Sequence, residues 1–281
     1  MKVVAIYNIK GGVGKTTTTI NLACLLAKKN LSVLVWDLDA QGGTSYFFNK
    51  QHTNNNNFSK LFGKALTIYD VIKPADNYHI DIIANDTNFS DQFTNGASSL
   101  TRLDFFNNQL VKNVLLKVAD DYDVVLIDCP PGRFTLHDNV FCAVDLLLIP
   151  NIPSPLSVYC NDMLLVALQK LTASKAKIFS FYNMVQPQKK MHKMYISNAA
   201  NNPNQLHQFV PFYSEIENIS LSKTSIFHQL KDLKSMVYYE NLWDEICERL
   251  LWDSFRTYKG IVVVLKSIKN GFTTPQIEQS V

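Results

Sequence analysis

The stretch YNIKGGVGKTTTTINLACLLAKK (Tyr7–Lys29) decides the fold. An apolar, β-branched run, KVVAIYNI (2–9), leads into it and stops at three glycines set between two lysines. Helical apolar spacing then continues through TTTTINLACLLAKKN and closes at Asn30. A strand, a glycine loop and a helix in that order form a phosphate cradle. Glycines let backbone N–H groups turn toward an anion with no Cβ in the way. The helix that begins near Lys15 adds the positive end of its dipole. In that frame Gly11, Gly12, Val13 and Gly14 line the anion, Lys15 reaches the β- and γ-phosphates, and the Thr16 hydroxyl ligates Mg²⁺. Thr17 donates to the α-phosphate. The usual pattern has a glycine five residues before the last one. Here Ile9 stands at that place, and Lys10 follows it.

Working outward, strands alternate with helices. SVLVWDLDA (32–40), HIDIIAND (79–86), DVVLIDCPP (123–131), VDLLLIPNI (144–152), KIFSFYNMV (177–185) and QFVPFYS (208–214) read as strands. Residues 65–72, 99–122, 154–174 and 238–255 read as helices. NKQHTNNNNFSK (49–60) is polar and of low complexity, and reads as a surface loop. Alternation of this kind implies an α/β fold, a mainly parallel twisted sheet with helices on both faces. We expect one domain over residues 1–255 and a C-terminal extension, 256–281.

Bulk properties bound the reading. The chain has 281 residues, and its 47% hydrophobic share allows a sizeable core. A net charge of +3 is too small to indicate nucleic-acid binding by itself. Five cysteines without a CxxC pair read as reduced thiols of a cytosolic protein, not as a disulfide framework or an iron–sulfur site. No apolar run reaches the length of a membrane span.

Two further segments carry acidic groups. WDLDAQGG (36–43) sets Asp37 and Asp39 on one face of an extended segment, at the edge where α/β sheets bind ligands. LIDCPPG (126–132) places Asp128 at the end of a buried strand, the position of a Walker B aspartate that holds the magnesium shell.

A glycine loop with a lysine just before the glycines resembles the deviant Walker A loop of the ParA/MinD family of P-loop ATPases. ParA-like proteins also carry D-x-D-P-Q-G-N and D-x-P-P. This chain keeps Asp37, Asp39 and Gln41 but has Ala40 for the proline and Gly43 for the asparagine. The resemblance implies ATP with Mg²⁺, and an ATP-dependent homodimer in which Lys10 reaches the partner's nucleotide while Lys15 serves its own. It implies that Asp39 orients or activates the attacking water, and that Thr16, Asp37 and Asp128 support the metal. FSFYNMVQPQKKMHK (179–193), followed by VPFYSEIENIS (210–220), is similar to short orphan ParA-like proteins, with Gln186 in place of an aspartate. There the adenine is enclosed by residues matching Asn183 and Pro211.

The family's function, partitioning or positioning a plasmid, chromosome locus or protein assembly, implies binding of nonspecific double-stranded DNA. It also implies a ParB-like activating partner and a cytoplasmic, nucleoid-associated location. Lys189, Lys190, Lys193, Lys223, Lys231 and Lys234 are the candidate DNA contacts. With the ATPase strand starting at Lys2, no helix-turn-helix segment is expected before it. A MinD-like membrane switch is a second reading, but the Asp39–Gln41 pattern departs from it and the tail RTYKGIVVVLKSIKN (256–270) has a poor amphipathic stripe. A non-catalytic adaptor that uses ATP only to hold a dimer is a third, and Lys15, Asp39 and Asp128 argue against it.

Overall fold

The structure is a computed structural model that describes residues 1–50, 57–75, 79–86, 109–132, 135–169, 175–213 and 236–255. In chain order the elements are β1 (Lys2–Ile6), α1 (Lys15–Lys28), β2 (Val33–Asp37), α2 (Gly43–Phe47), α3 (Asn57–Phe62), α4 (Ile68–Val71), β3 (Ile72–Pro74), β4 (Ile80–Ile83), α5 (Leu110–Leu115), β5 (Val124–Asp128), α6 (Thr135–Ala143), β6 (Leu146–Asn151), α7 (Pro155–Gln169), β7 (Lys177–Val185), α8 (Lys190–Ser197), β8 (Gln205–Pro211) and α9 (Met236–Leu250). Among the described residues one eight-stranded sheet runs β3-β4-β2-β5-β1-β6-β7-β8. Its strands are parallel except β3, which runs antiparallel to β4.

The central strands are continuous apolar runs because both of their faces are covered. Alternate side chains (Val4, Ile6, Val35, Leu126, Leu148) meet Leu22, Leu25 and Leu26 of α1 and Leu242, Trp243 and Ile246 of α9. The other set (Val3, Ala5, Trp36, Val125, Ile127, Leu147) meets α5, α6 and α7 through Val111, Val114, Phe141 and Leu164. Helix α1 therefore leaves the glycine loop on one face of the sheet, and α7 descends on the other. As the sequence predicts, α1 closes at Asn30, whose positive φ of 60° lets Leu31 N–H bond back to the Leu26 carbonyl.

The polar tract differs from the sequence expectation. Residues 51–56 lie outside the described residues, but Asn57–Phe62 are helical. Phe58, Leu61 and Phe62 are buried there, and Phe58 meets Trp36 edge-to-face at 5.9 Å. Three apolar anchors at helical spacing outweigh the asparagines before them. Other expectations shift in detail. The helix expected over 65–72 is a four-residue turn of helix that passes into β3. The strand expected from Gln208 starts at Gln205, and of the helix expected over 99–122 the described part is Leu110–Leu115 with a 3-10 turn after it. Helices α2, α6 and α8 carried no sequence expectation, and the extension 256–281 lies outside the described residues.

Phe58 gives a measurable consequence. Phe58→Ala should cost about 3 kcal/mol in equilibrium unfolding, the usual penalty for emptying a buried aromatic site. A loss below about 0.5 kcal/mol, typical of surface substitutions, would mean that this helix is not seated on Trp36.

Candidate functional site

The carboxyl ends of β1, β2, β5, β6 and β7 converge, and the residues predicted for the phosphates and the metal gather there. Gly14, at φ 88°, occupies the left-handed region and starts α1. A Cβ at Gly14 would lie 2.3 Å from Asn183 Nδ2, so conformation and close approach both require glycine. Asn183, buried at the end of β7, donates from Nδ2 to the Val13 carbonyl at 2.8 Å and pins the loop. Its neighbour Met184 has φ 53°, a strained value for a residue with a side chain. Asn8 bridges the start of the loop to β6, because its Oδ1 accepts from Lys10 N–H at 2.9 Å and its Nδ2 donates to the Pro150 carbonyl at 2.8 Å.

The two lysines of the loop diverge. Lys15 is buried and folds back, its Nζ donating to the Lys10 carbonyl at 3.3 Å. Burial lowers the Lys15 pKa, and the nearby charges of Asp128 and then Asp39 oppose that shift. Lys10 sends its ammonium the other way, to Ser157 Oγ in the first turn of α7 at 2.8 Å.

Asp37 and Asp128 are register partners on adjacent strands, and both are fully buried. Asp128 Oδ2 accepts the hydroxyls of Thr16 (2.8 Å) and Thr44 (2.7 Å). Asp128 Oδ1 is buried and has no hydrogen-bond partner among the described residues. Asp37 is engaged on both oxygens, by Asp39 N–H on Oδ1 and by Ser45 N–H and Oγ on Oδ2. Desolvation pushes both carboxyls above the ordinary aspartate range, and a neighbouring carboxylate adds to it, Asp37 for Asp128 and Asp39 for Asp37. Asp39 is half-buried, and its Oδ1 accepts Gln41 N–H at 2.9 Å.

These residues fit a magnesium–phosphate site. Among the described residues no group of three or more acidic, histidine or cysteine side chains could hold a metal. Mg²⁺ bound by one or two carboxylates completes its shell with phosphate and water, and the unpartnered Asp128 oxygen beside the Thr16 hydroxyl suits that mode. Asp37, with every bond satisfied internally, contributes its charge from one layer behind. The glycine-lined loop and the Lys15 ammonium supply the matching anion side.

Thr44 and Ser45 are functional-site residues that the sequence reading missed. Their signal is the GGTS run directly after Asp-x-Asp. At Gly43, where the family pattern has asparagine, a Cβ would sit 3.0 Å from the Thr16 methyl group, a tight contact. On the far side of the loop, Thr17, Asn183, Met184, Pro211, Phe212, Tyr213 and Tyr239 line a small cleft, so the structure brings Asn183 and Pro211 together. Lys189, Lys190 and Lys193 stand exposed at the start of α8. Lys223, Lys231 and Lys234 lie outside the described residues.

The buried acids set a pH dependence. A carboxyl whose pKa is raised by folding holds its proton more tightly in the folded chain, so its repulsive cost is present above that raised value and fades as pH falls toward 3.8. Asp128→Asn removes the charge and keeps an acceptor for Thr16 and Thr44. Without nucleotide or Mg²⁺ it should unfold at higher urea than the wild type at pH 8, by on the order of 2 kcal/mol. The difference should shrink steadily toward pH 4. A constant difference across that range would mean that Asp128 carries no such penalty.

Comparison with known proteins places this geometry. Residues 1–181 match the AAA domain family, more than half of the chain. A chromosome partitioning protein ParA of Myxococcus xanthus is 28% identical over 211 residues, which are 74% of this chain and 69% of that one. The chromosome-partitioning ATPase Soj of Treponema pallidum is 34% identical over 158 residues, 53% of this chain and 56% of Soj, so the match spans about half of that relative. Among solved structures, a variant of McdA from Cyanothece in complex with ATP superposes with a TM-score of 0.72 at 20% identity, over 88% of this chain and 96% of that one. That last likeness bears on the fold, and the fold agrees with the sequence matches. With its glycine loop, strand-end aspartates and parallel sheet, the chain belongs to the ParA/MinD family of P-loop ATPases.

Proposed function

We propose that this protein binds ATP with Mg²⁺, closes into a dimer with the two nucleotides sandwiched between the subunits, and in that form holds duplex DNA without sequence preference. A cargo is thereby partitioned or positioned, and hydrolysis is slow until a ParB-like partner stimulates it. The observation that carries the reading is the divergence of the two lysines. Lys15 returns to its own loop, while Lys10 leaves it toward α7. A second cation directed out of the loop is superfluous for one nucleotide and has a use when a second subunit presents another.

Each group then has a task. The glycine loop and Lys15 offset the charge of the triphosphate within their own subunit. Thr16 and Asp128 hold the metal, with Asp37 behind them. Magnesium, when bound, supplies a divalent charge that neutralises phosphate oxygens as charge develops on them. Asp39, less buried than the other two acids, is assigned to the attacking water. Asn183 and Pro211 border the cleft assigned to adenine. The row of exposed apolar side chains along α7 (Leu156, Tyr159, Met163, Val166) supports a subunit contact beside Lys10, because such a row is unfavourable in water.

The DNA assignment draws on helix chemistry. Cations in the first turn of a helix oppose its dipole, yet Lys189, Lys190 and Lys193 all stand at that end of α8, exposed. A phosphate backbone would turn this arrangement from unfavourable to favourable. The proposed setting is the cytoplasm, on the nucleoid. The membrane alternative depends on residues 256–270, outside the described residues, and among the described ones no helix is long and apolar enough to cross a membrane.

The two lysines should separate experimentally. Lys15→Ala should weaken ATP binding in calorimetry by about 100-fold or more, the scale of a lost buried charge pair. Lys10→Ala should bind ATP nearly as the wild type does, yet stay monomeric in sedimentation. Equal loss of ATP affinity in both variants would place both lysines on one nucleotide and end the divergent assignment. Changing Lys189, Lys190 and Lys193 to Glu should abolish ATP-dependent DNA retention while leaving dimerisation intact. Charge reversal there also favours the α8 dipole, so unfolding of the helix is not the expected cause. Equal retention across a salt series would rule out α8 as the DNA surface.

A further inference from the structure

We infer that Asn85, two residues beyond β4, is a positioning residue for Asp39: its side-chain amide holds the Ala40 carbonyl, and with it the turn that carries the Asp39 carboxylate. The inference rests on the reading above in which Asp39 serves the attacking water. It adds to that reading the residue that fixes where the carboxylate stands.

Asp39 opens a turn between β2 and α2. Gly42 N–H closes the turn on the Asp39 carbonyl at 2.8 Å, and Gln41 N–H donates to Asp39 Oδ1 at 2.9 Å. Both bonds lie inside the turn, so they set its shape and not its place over the sheet. Neighbouring strands supply the place. Before the turn, Leu38 N–H donates to the Asp128 carbonyl at 2.9 Å. Within it, Asn85 Nδ2 donates to the Ala40 carbonyl at 3.2 Å. Strand β4 runs parallel beside β2, with Ile83 opposite Trp36, so Asn85 leaves the sheet next to the chain that enters the turn. Asn85 is buried there, and its two halves reach the surroundings of two different acids. Its backbone N–H donates to Ser45 Oγ at 2.9 Å, and that hydroxyl donates to Asp37 Oδ2 at 2.7 Å. Its amide reaches the turn of Asp39. A substitution at 85 keeps the first connection, which is main chain, and cuts the second. The residue at 40 gives the amide bond its importance. The family pattern has proline there, and a proline ring fixes φ at about −65°. Alanine carries no such constraint, so the same turn loses more conformational freedom when it is ordered. The Asn85 amide ties from outside what the ring would fix from within. A group that orients water must meet a narrow geometry, so a loosened turn costs rate before it costs nucleotide affinity.

Two variants remove the tie, Asn85→Ala and Asn85→Leu, and the leucine keeps the buried site filled. In nucleotide-free protein, solvent exchange of the Gly42 amide, followed by NMR, should be about 5-fold or more faster in both than in the wild type, the scale of one hydrogen bond net of solvent. In single-turnover assays with radiolabelled ATP and Mg²⁺, hydrolysis should fall by a similar factor, while ATP affinity in calorimetry keeps its wild-type value. Ala40→Pro, added to either variant, should restore slow exchange and hydrolysis together, because the ring replaces the lost tie. A general loss of packing around residue 85 would not be repaired at that place. Unchanged Gly42 exchange in both variants overturns the restraint. Faster exchange with undiminished hydrolysis overturns the positioning role, provided that Asp39→Ala, assayed in parallel, is inactive. ATP affinity lost along with hydrolysis, or no recovery with Ala40→Pro, overturns it as well, since Asn85 would then support the site at large. If Asp39→Ala hydrolyses ATP as the wild type does, the reading of Asp39 fails, and Gly42 exchange alone decides whether Asn85 holds the turn.

Discussion

The buried carboxylate of Asp128 is the joint on which the site depends. It lies at the end of β5, accepts a hydroxyl from the first turn of α1 and another from α2, and faces Asp37 across the strand pair. Two desolvated acids at adjacent strand ends repel each other, and among the described residues hydroxyl donors, backbone N–H groups and the Lys15 charge offset them. The arrangement is stable enough to fold but remains electrostatically incomplete. A divalent cation and an anion at the glycine loop would complete it together, which couples binding to the local stability of three segments.

The second organising feature is that the sheet separates the two helices nearest the loop. Helix α1 runs down one face and α7 down the other. The loop spans the edge between them, so a lysine at its start and a lysine at its end can serve different directions. Asn8 sets this geometry through the Pro150 carbonyl at the end of β6. The loop is thus read by its neighbours as a rigid object, and the strained φ of Met184 beside Asn183 belongs to the same fit, since Asn183 must meet Val13 from the end of β7.

How much of this was legible beforehand follows from locality. The strand–glycine–helix order, the apolar strands and the acidic strand ends are short-range patterns, and each could be read from a few consecutive residues. The end of the polar tract, Asn57–Lys60, was misread as loop because the tract's asparagines are local, whereas the Trp36 ring that anchors Phe58 is not. Thr44 and Ser45 escaped notice for the same reason. Their partners are Asp128 and Asp37, brought to them by strand pairing.

By itself, then, the sequence determined the phosphate loop, the parallel α/β architecture and the identity of its charged groups, since backbone conformation and side-chain periodicity are set by near neighbours. Only the tertiary structure decided how those charges are partnered. It stacked Asp37 beside Asp128, left one Asp128 oxygen without a hydrogen-bond partner among the described residues, folded Lys15 inward and sent Lys10 to Ser157, 147 residues away in the chain. Hydrogen bonds and desolvation act over a few ångströms in space, and separation along the chain carries no information about them until the sheet has formed.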